Sequence, residues 1–140
     1  MATIEETIRK HVDAFNAHDA SAWASHYAED AVVEDPAYAD MLEGRAATEH
    51  DIADFFRAFP DAHMELRHVM AKNNTYAFEC TVSGTHRGPL ELPSGKVEPT
   101  NRHFEIHASV FGGVDAHGEI VDEHRYFDLA RRMRQLGLVQ

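Results

Sequence analysis

Apolar residues recur at helical spacing in two parts of the first half of the chain. A first helix is predicted by residues three or four positions apart: Ile4, Ile8, Val12 and Phe15. Asp19 is a candidate N-cap for a short second helix. A third helix is predicted by a stripe of large apolar residues: Ile52, Phe55, Phe56 and Phe59. Pro60 follows this stripe and ends the helix.

The rest of the chain is typical of β-strands separated by turn residues. Strands are predicted at 31–34, 62–70, 75–86, 97–111 and 119–127. A closing helix carries Leu129, Met133 and Leu136 at helical spacing, with Gly137 as its C-cap. Because the helices come first and the strands follow, the order indicates an α+β fold with an antiparallel sheet.

Asp35 is the leading candidate for chemistry. It stands before Pro36 at the end of the strand predicted at 31–34, and a residue before proline favours extended backbone. Helices laid against one concave side of a sheet leave an apolar cleft, which is the usual place for a small ligand. A carboxylate at the rim of such a cleft, half shielded from water, can act as a general base. The alternative for Asp35 is an ordinary turn carboxylate.

Composition limits the class of protein. The 140 residues, 44% hydrophobic and 26% charged, predict one folded domain spanning 1–140. The 13 Lys and Arg against 24 Asp and Glu give a net charge of -11, which argues against a nucleic-acid partner. No apolar segment approaches the roughly 18 residues needed to cross a bilayer, so no membrane partner is expected. One cysteine, Cys80, and a charged start of the chain favour a cytoplasmic location.

Four segments carry a resemblance to a known family. They are EDP at 34–36, EGRAATEHDIADFFRAFPD at 43–61, SGTHRGPLELPSGK at 83–96 and GEIVDEHRYFDLARRMRQLGL at 118–138. Through them the chain resembles the SnoaL-like polyketide cyclases of the nuclear transport factor 2-like superfamily. The resemblance implies a cone-shaped α+β barrel, in which a curved antiparallel sheet is wrapped by three N-terminal helices. It also implies a homodimer, an enclosed pocket for a hydrophobic small molecule and no cofactor.

The front half also resembles the ketosteroid isomerases of the same superfamily. In these enzymes the Asp of an EDP segment moves a proton between carbons, and Asp35 occupies that place. The two residues that donate hydrogen bonds to the enolate oxygen in the isomerases fall here on His11 and His107, so neither donor type is kept. In the cyclases an Asp on a late strand acts with a His, which implies Asp122 with His107. Asp128 is the alternative to Asp122.

The strand pattern leaves the direction of several side chains open. His107 lies on a polar strand face that lines solvent, a dimer contact or the cavity, and we predict the cavity. Asp122 and His124 share one face of the last strand, but both faces mix charged and apolar residues. His11, on the stripe of the first helix, is either a ligand contact or a core histidine with its hydrogen bonds satisfied.

The predicted site therefore has two groups of residues. The candidates for catalysis are Asp35, His107 and Asp122, and those for substrate binding are His11, Phe15, Phe56 and His124. No metal is predicted, because the chain has no H-E-x-x-H motif. In addition, His103 and His107 would lie roughly 13 Å apart along a strand, too far to share one ion.

The leading hypothesis is a cofactor-independent enzyme that shifts a proton next to a carbonyl in a hydrophobic substrate. Asp35 would be the base, and His107 with His11 would stabilise the enolate. Isomerisation and intramolecular aldol cyclisation both follow from that first step. The alternative is a protein of the same fold that binds a small molecule or serves as a dimer scaffold without catalysis. Epoxide hydrolysis by water that a carboxylate activates is a third possibility.

Overall fold

The computed structural model describes residues 2–139. Their helices are α1 (Ile4–Asn16), α2 (Ala20–Ser25), α3 (Arg45–Ala58) and α4 (Leu129–Gln135). Their strands are β1 (Tyr27–Glu34), β2 (Leu42–Glu43), β3 (His63–Lys72), β4 (Thr75–Thr85), β5 (Leu90–Leu92), β6 (Gly95–Val97), β7 (His103–Val114) and β8 (Ile120–Phe127). The α+β class is confirmed.

The main sheet has six strands in the order β2-β1-β8-β7-β4-β3. Strands β3, β4, β7 and β8 pair antiparallel to their neighbours, as predicted. Strand β1 instead pairs parallel with β8, so the sheet is mixed and the prediction of a purely antiparallel sheet is wrong. Strand β1 lies between β2, its neighbour in sequence, and the last strand β8, and it runs in the same direction as β8.

Three of the helices have an N-cap residue whose side chain accepts a hydrogen bond from the first turn. Thr3, Asp19 and Asp128 accept hydrogen bonds from the backbone N–H groups of Glu6, Ala22 and Arg131, which confirms Asp19 as the predicted N-cap. Helix α3 follows Gly44, whose φ of +94° favours glycine, and it ends before Pro60, as predicted.

The strand predicted at 97–111 is two strands in the structure. Strand β6 ends at Val97 and pairs with β5, while β7 begins at His103 and belongs to the main sheet. Pro99 lies in the connection, where it cannot donate to a sheet ladder, and Asn101 adopts a φ of +61°.

The core lies between the helices and one face of the main sheet. Along β4 and β7 the buried residues alternate with exposed or half-buried ones, and their buried side chains larger than glycine are Tyr76, Phe78, Cys80, Val82, Phe104, Ile106, Val110 and Val114. Helix α1 packs against β3, and α4 packs against β7. In residues 2–139 we find no helix with the length and apolar character that a membrane span requires.

Candidate functional site

A cavity of about 130 Å³ lies between the helices and the inner face of the main sheet. Apolar side chains from five elements form much of its wall: Phe15, Phe55, Phe78, Ile106 and Phe127. Its most deeply buried charged side chains are Asp35, Asp51, Glu123, Arg125 and Arg132. Charges in such surroundings are costly unless they are paired, so their hydrogen bonds decide what the cavity can do.

Asp35 follows β1 directly and lines the cavity, with its side chain 10% exposed. The backbone N–H of Ala37 donates to its Oδ1 over 2.8 Å, which forms the turn expected of an Asp at this place. Nη1 of Arg125 donates to its Oδ2 over 3.0 Å. The predicted position of Asp35 at the cavity is confirmed, and the same side chain is also the turn carboxylate of the alternative interpretation.

Asp51 is a second carboxylate on the cavity wall, carried by α3 and 11% exposed. The Tyr38 hydroxyl donates to its Oδ1 over 2.5 Å, and Nη1 of Arg125 donates to its Oδ2 over 3.1 Å. Burial, followed by the charge and hydrogen bond of Asp51, raises the pKa of Tyr38. The Tyr38 hydroxyl therefore keeps its proton and remains a donor.

Arg125, on β8, connects the carboxylates of the site. Besides the two aspartates, it donates from Nε to Glu123 Oε2 over 2.9 Å and from Nη2 to the Tyr27 hydroxyl over 3.2 Å. Burial alone would lower the pKa of Arg125, but the Tyr27 oxygen and the carboxylates of Glu123, Asp51 and Asp35 raise it well above its ordinary value. Arg125 is therefore a fixed positive charge.

Glu123 lies beneath this cluster, with its side chain 2% exposed. The hydroxyls of Tyr27 and Tyr76 donate to Oε2 and Oε1, each over 2.7 Å, and Arg125 supplies the third hydrogen bond. Burial and the charge of Glu123 raise the pKa of both tyrosines, so both stay protonated. Glu123 thus anchors Arg125 from behind and leaves the guanidinium directed to Asp35 and Asp51.

His11 belongs to the core rather than to the cavity wall. Its ring stacks on Trp23 at 3.5 Å, its Nε2 lies 3.3 Å from the Tyr27 hydroxyl, and its Nδ1 lies 2.9 Å from Nδ1 of His26. Burial, then the charges of His26 and Arg125, lower its pKa, so the ring is neutral. The prediction that His11 binds substrate is wrong, because its two ring nitrogens are occupied inside the core.

Of the two predicted aromatic contacts with the substrate, one residue lines the cavity and the other does not. Phe15 lines the cavity, as predicted. Phe56 does not line it: its ring packs against Phe15 at 5.3 Å and against His18 at 4.6 Å, so the prediction is wrong. Its neighbour Phe55 faces the cavity instead. One residue along a helix turns the side chain by roughly 100°, and the apolar stripe contained both residues.

His107 is exposed on the outer face of the sheet, and the prediction that it faces the cavity is wrong. The buried residues of β7 include Phe104 and Ile106, so the odd-numbered positions between them and beyond point outward. The Nδ1 of His107 lies 3.2 Å from the Thr81 hydroxyl. His107 therefore lies on the face of β7 opposite the cavity and cannot contact a molecule bound there.

Asp122 and His124 also lie on the outer face, so they cannot fill their predicted catalytic and binding roles in the cavity. His124 lies between two carboxylates, 3.3 Å from Asp122 and 3.1 Å from Glu34. The opposite face of β8 supplies Glu123 and Arg125 to the cavity. No group of three or more His, Cys, Asp or Glu side chains suitable for a metal ion occurs in residues 2–139.

Sequence reasoning missed Asp51, Tyr38, Arg125 and Arg132. Asp51 stands four positions before Phe55, so the helical stripe places the two on one side of α3. Arg125 lies on the face of the last strand that the pattern left undecided. Arg132 stands at helical spacing between Leu129 and Leu136 of the closing helix. Tyr38 lies in a loop, where no periodicity indicates a direction.

The family model described as a SnoaL-like domain matches residues 8–123. IdmH from Streptomyces antibioticus, described as a candidate polyketide cyclase, is 26% identical, with a TM-score of 0.76 over 97% of this chain and 99% of that one. SalBIII, an epoxide hydrolase/cyclase-like enzyme in pyran ring formation in the polyether salinomycin, is 20% identical, with a TM-score of 0.75 over 91% and 92%. A Catenulispora acidiphila protein with a ketosteroid isomerase-like fold is 18% identical, with a TM-score of 0.79 over 98% and 96%. No curated protein matches the chain.

Proposed function

Since this chain belongs to the SnoaL-like domain family, we propose that it is a cofactor-independent acid/base enzyme that moves a proton next to the carbonyl group of a small hydrophobic molecule. One observation carries the proposal: Asp35 and Asp51 are joined through Nη1 of Arg125 at the wall of an apolar cavity. Ionisable groups brought together in a cleft of this kind are typical of catalytic sites.

Asp35 is the base in this proposal. Its two oxygens are held by Ala37 N–H and by Arg125, while the carboxylate keeps further lone pairs that can accept a proton. Removal of a proton beside a carbonyl leaves an enolate, whose negative oxygen is stabilised by fixed donors and positive charge. Arg125 supplies the positive charge at the same wall, and its Nη2, which donates one proton to Tyr27, has a second proton to donate. It replaces His11 and His107 in that role.

Asp51 is the partner that completes the transfer. It shares Nη1 of Arg125 with Asp35, so either carboxyl can take up a proton while the other stays charged. Return of the proton to a different carbon gives isomerisation. Attack of the enolate carbon on a second carbonyl of the same molecule, with the proton delivered to the new alkoxide, gives an aldol ring closure.

The size of the cavity limits the substrate. An apolar cavity of roughly 150 Å³ accommodates benzene, and this one measures about 130 Å³. A molecule, or the reacting part of one, with about a single ring therefore fits against Phe55 and Phe127. Such a ligand would have few polar atoms, because the wall offers hydrogen bonds mainly at the charged cluster.

Epoxide opening is the second candidate function, and the same carboxylate pair favours it. One carboxylate takes a proton from water as the water oxygen attacks an epoxide carbon, and the other, protonated, gives its proton to the epoxide oxygen. The product is a diol and the atoms balance. Asp35, Arg125 and Asp51 provide the two carboxyl groups on one arginine that this reaction needs.

A protein that binds a small molecule without converting it is the alternative from another class. The same fold serves many functions, and an apolar cavity alone does not require catalysis. The cost of keeping two carboxylates about nine-tenths buried at the wall favours the enzyme.

The homodimer, which the family resemblance implies, stays a prediction.

A panel of probes in labelled water separates these functions. Single-ring ketones such as cyclohexanone and phenylacetone are incubated with the protein in deuterium oxide, and styrene oxide is incubated in oxygen-18 water. The proposal expects faster deuterium exchange beside the ketone carbonyl than in buffer. Labelled diol without ketone exchange would favour the epoxide reaction. Binding of the probes with neither reaction would contradict both enzymes and leave the binding protein.

A further inference from the structure

Arg132 is a buried cation on the cavity wall that the proposed reaction does not use. It lies on α4, is 7% exposed, and lines the same cavity as Asp35 and Arg125. Its guanidinium carbon lies 5.0 Å from the centre of the Phe127 ring and 5.8 Å from that of Phe104. The neighbouring Arg131 is exposed, so the turn of α4 directs only one of the two adjacent arginines inward.

No protein group pairs with Arg132. In residues 2–139 its guanidinium makes no hydrogen bond and has no carboxylate within 4.0 Å, and its Nε is buried without an acceptor. Arg125, buried to a similar extent, has three carboxylates around it. The aromatic rings beside Arg132 compensate only part of the lost hydration of a charge.

We propose that Arg132 binds the carboxylate of the molecule that enters the cavity, so that the natural ligand is a small hydrophobic acid. This inference rests on the proposed function and names the class of its substrate. The planar fork of a guanidinium matches the two oxygens of a carboxylate. The pairing would satisfy the buried Nε and would supply the missing negative charge.

The charge balance of the wall agrees with this assignment. Asp35 and Asp51 are too far from Arg132 to pair with it and are held by Arg125. Burial lowers the pKa of Arg132, opposed at longer range by the charges of Asp35 and Asp51. An arginine remains protonated in any case. The ligand would be held at its acid end by Arg132, while its reacting carbon faces the carboxylate pair.

Calorimetric titration with phenylacetate and phenylacetamide tests the proposal. The two probes have nearly the same size, but only the first carries a charge. We expect the wild type to bind phenylacetate at least about tenfold more tightly. Arg132→Gln should remove that preference, while Arg132→Lys should keep part of it. Arg131→Gln, the exposed neighbour, is the matched control and should behave as wild type.

Each outcome of this titration is decisive. Equal affinity of the wild type for the two probes, failure of phenylacetate to bind, or an unchanged preference in Arg132→Gln would overturn the proposal. Because Arg132 has no partner to leave behind, Arg132→Gln should melt at or above the wild-type temperature, so loss of binding will not come from unfolding. Asp35→Asn should keep the preference for phenylacetate, since it removes the base and not the anchor. Failure of the proposed reaction alone would therefore leave this preference intact.

Discussion

Asp35 and Arg125 form an ion pair over 3.0 Å although 90 positions separate them in sequence. The parallel pairing of β1 with β8 explains this contact. Glu34 lies opposite His124 in that pairing, so the next residues along the chain are Asp35, just after β1, and Arg125 of β8. The carboxylate of the first strand and the cation of the last strand thus meet at the cavity wall.

Replacing Arg125 by methionine is expected to destabilise the fold by about 3 to 5 kcal/mol, because three buried carboxylates lose their common cation. The free energy of unfolding, from urea titration followed by circular dichroism, measures the loss.

The control for this change is Arg131→Met, at an exposed position. It is expected to alter the free energy of unfolding by no more than about 0.5 kcal/mol. Equal stability of Arg125→Met and Arg131→Met at neutral pH would show that Arg125 does not hold the carboxylates together.

The sequence was sufficient to predict the elements that position Asp35. Helical spacing, Asp19 as a cap and Pro60 as a stop give α1 to α3 nearly as observed, because these signals are local. The parallel contact of β1 with β8 was not predictable in this way, since it depends on which strand, distant in sequence, β1 lies beside. Arg125 could not be assigned to the site without that contact.

Stability is expected to fall as the pH decreases below about 6.5, because His11 is buried and neutral. Burial first, and the charges of His26 and Arg125 next, lower its pKa in the folded protein. In this pH range His11 therefore binds a proton in the unfolded chain but not in the folded one, so acid favours unfolding. Between about pH 7 and about pH 5 the free energy of unfolding should therefore fall. Urea titrations across this range provide the measurement.

Two variants separate the histidines that act in opposite directions. His11→Asn should flatten the dependence on pH. Hydrogen bonds to Glu34, with smaller contributions from Asp122, raise the pKa of His124, so protonation of this residue stabilises the fold in acid and that contribution is lost at higher pH. His124→Asn should therefore make the fall in stability steeper. A wild-type stability that rises on acidification from neutral pH would contradict the assignment of His11.

Filling the cavity at Ala108 is expected to prevent ligand binding without unfolding the protein. Ala108 lies on the inner face of β7 and lines the cavity of about 130 Å³, so a phenylalanine ring there occupies much of the space. Overpacking costs about 1 to 3 kcal/mol. Toluene, observed by NMR, should bind the wild type and not Ala108→Phe.

Ser109→Phe is the matched control, because Ser109 is the next residue of β7 and points to the outer face. It should bind toluene as the wild type does. Toluene binding that is equal in Ala108→Phe and the wild type would place the ligand outside this cavity.

The candidate site could be predicted only in part, because the alternation along a strand separates two faces but does not show which face points to the cavity. The alternation in β7 identified two faces, and His107 was assigned to the wrong one since three kinds of neighbour, solvent, partner or cavity, suit a polar face. The predicted roles of Asp122 and His124 at the cavity were wrong for the same reason on β8. The prediction for Asp35 was correct because it rests on a local effect: Pro36 restricts the backbone of the residue before it, whatever the rest of the sheet does.

The most direct test of the proposed chemistry is the rate of deuterium exchange beside the carbonyl of the best ketone in the panel, compared between wild type and Asp35→Asn. Asp40→Asn, an exposed aspartate of the same loop, is the control and should retain the wild-type rate. We expect Asp35→Asn to slow exchange by about 10² to 10⁴-fold, the usual contribution of a general base. Exchange by Asp35→Asn at the wild-type rate would show that Asp35 is only a turn carboxylate.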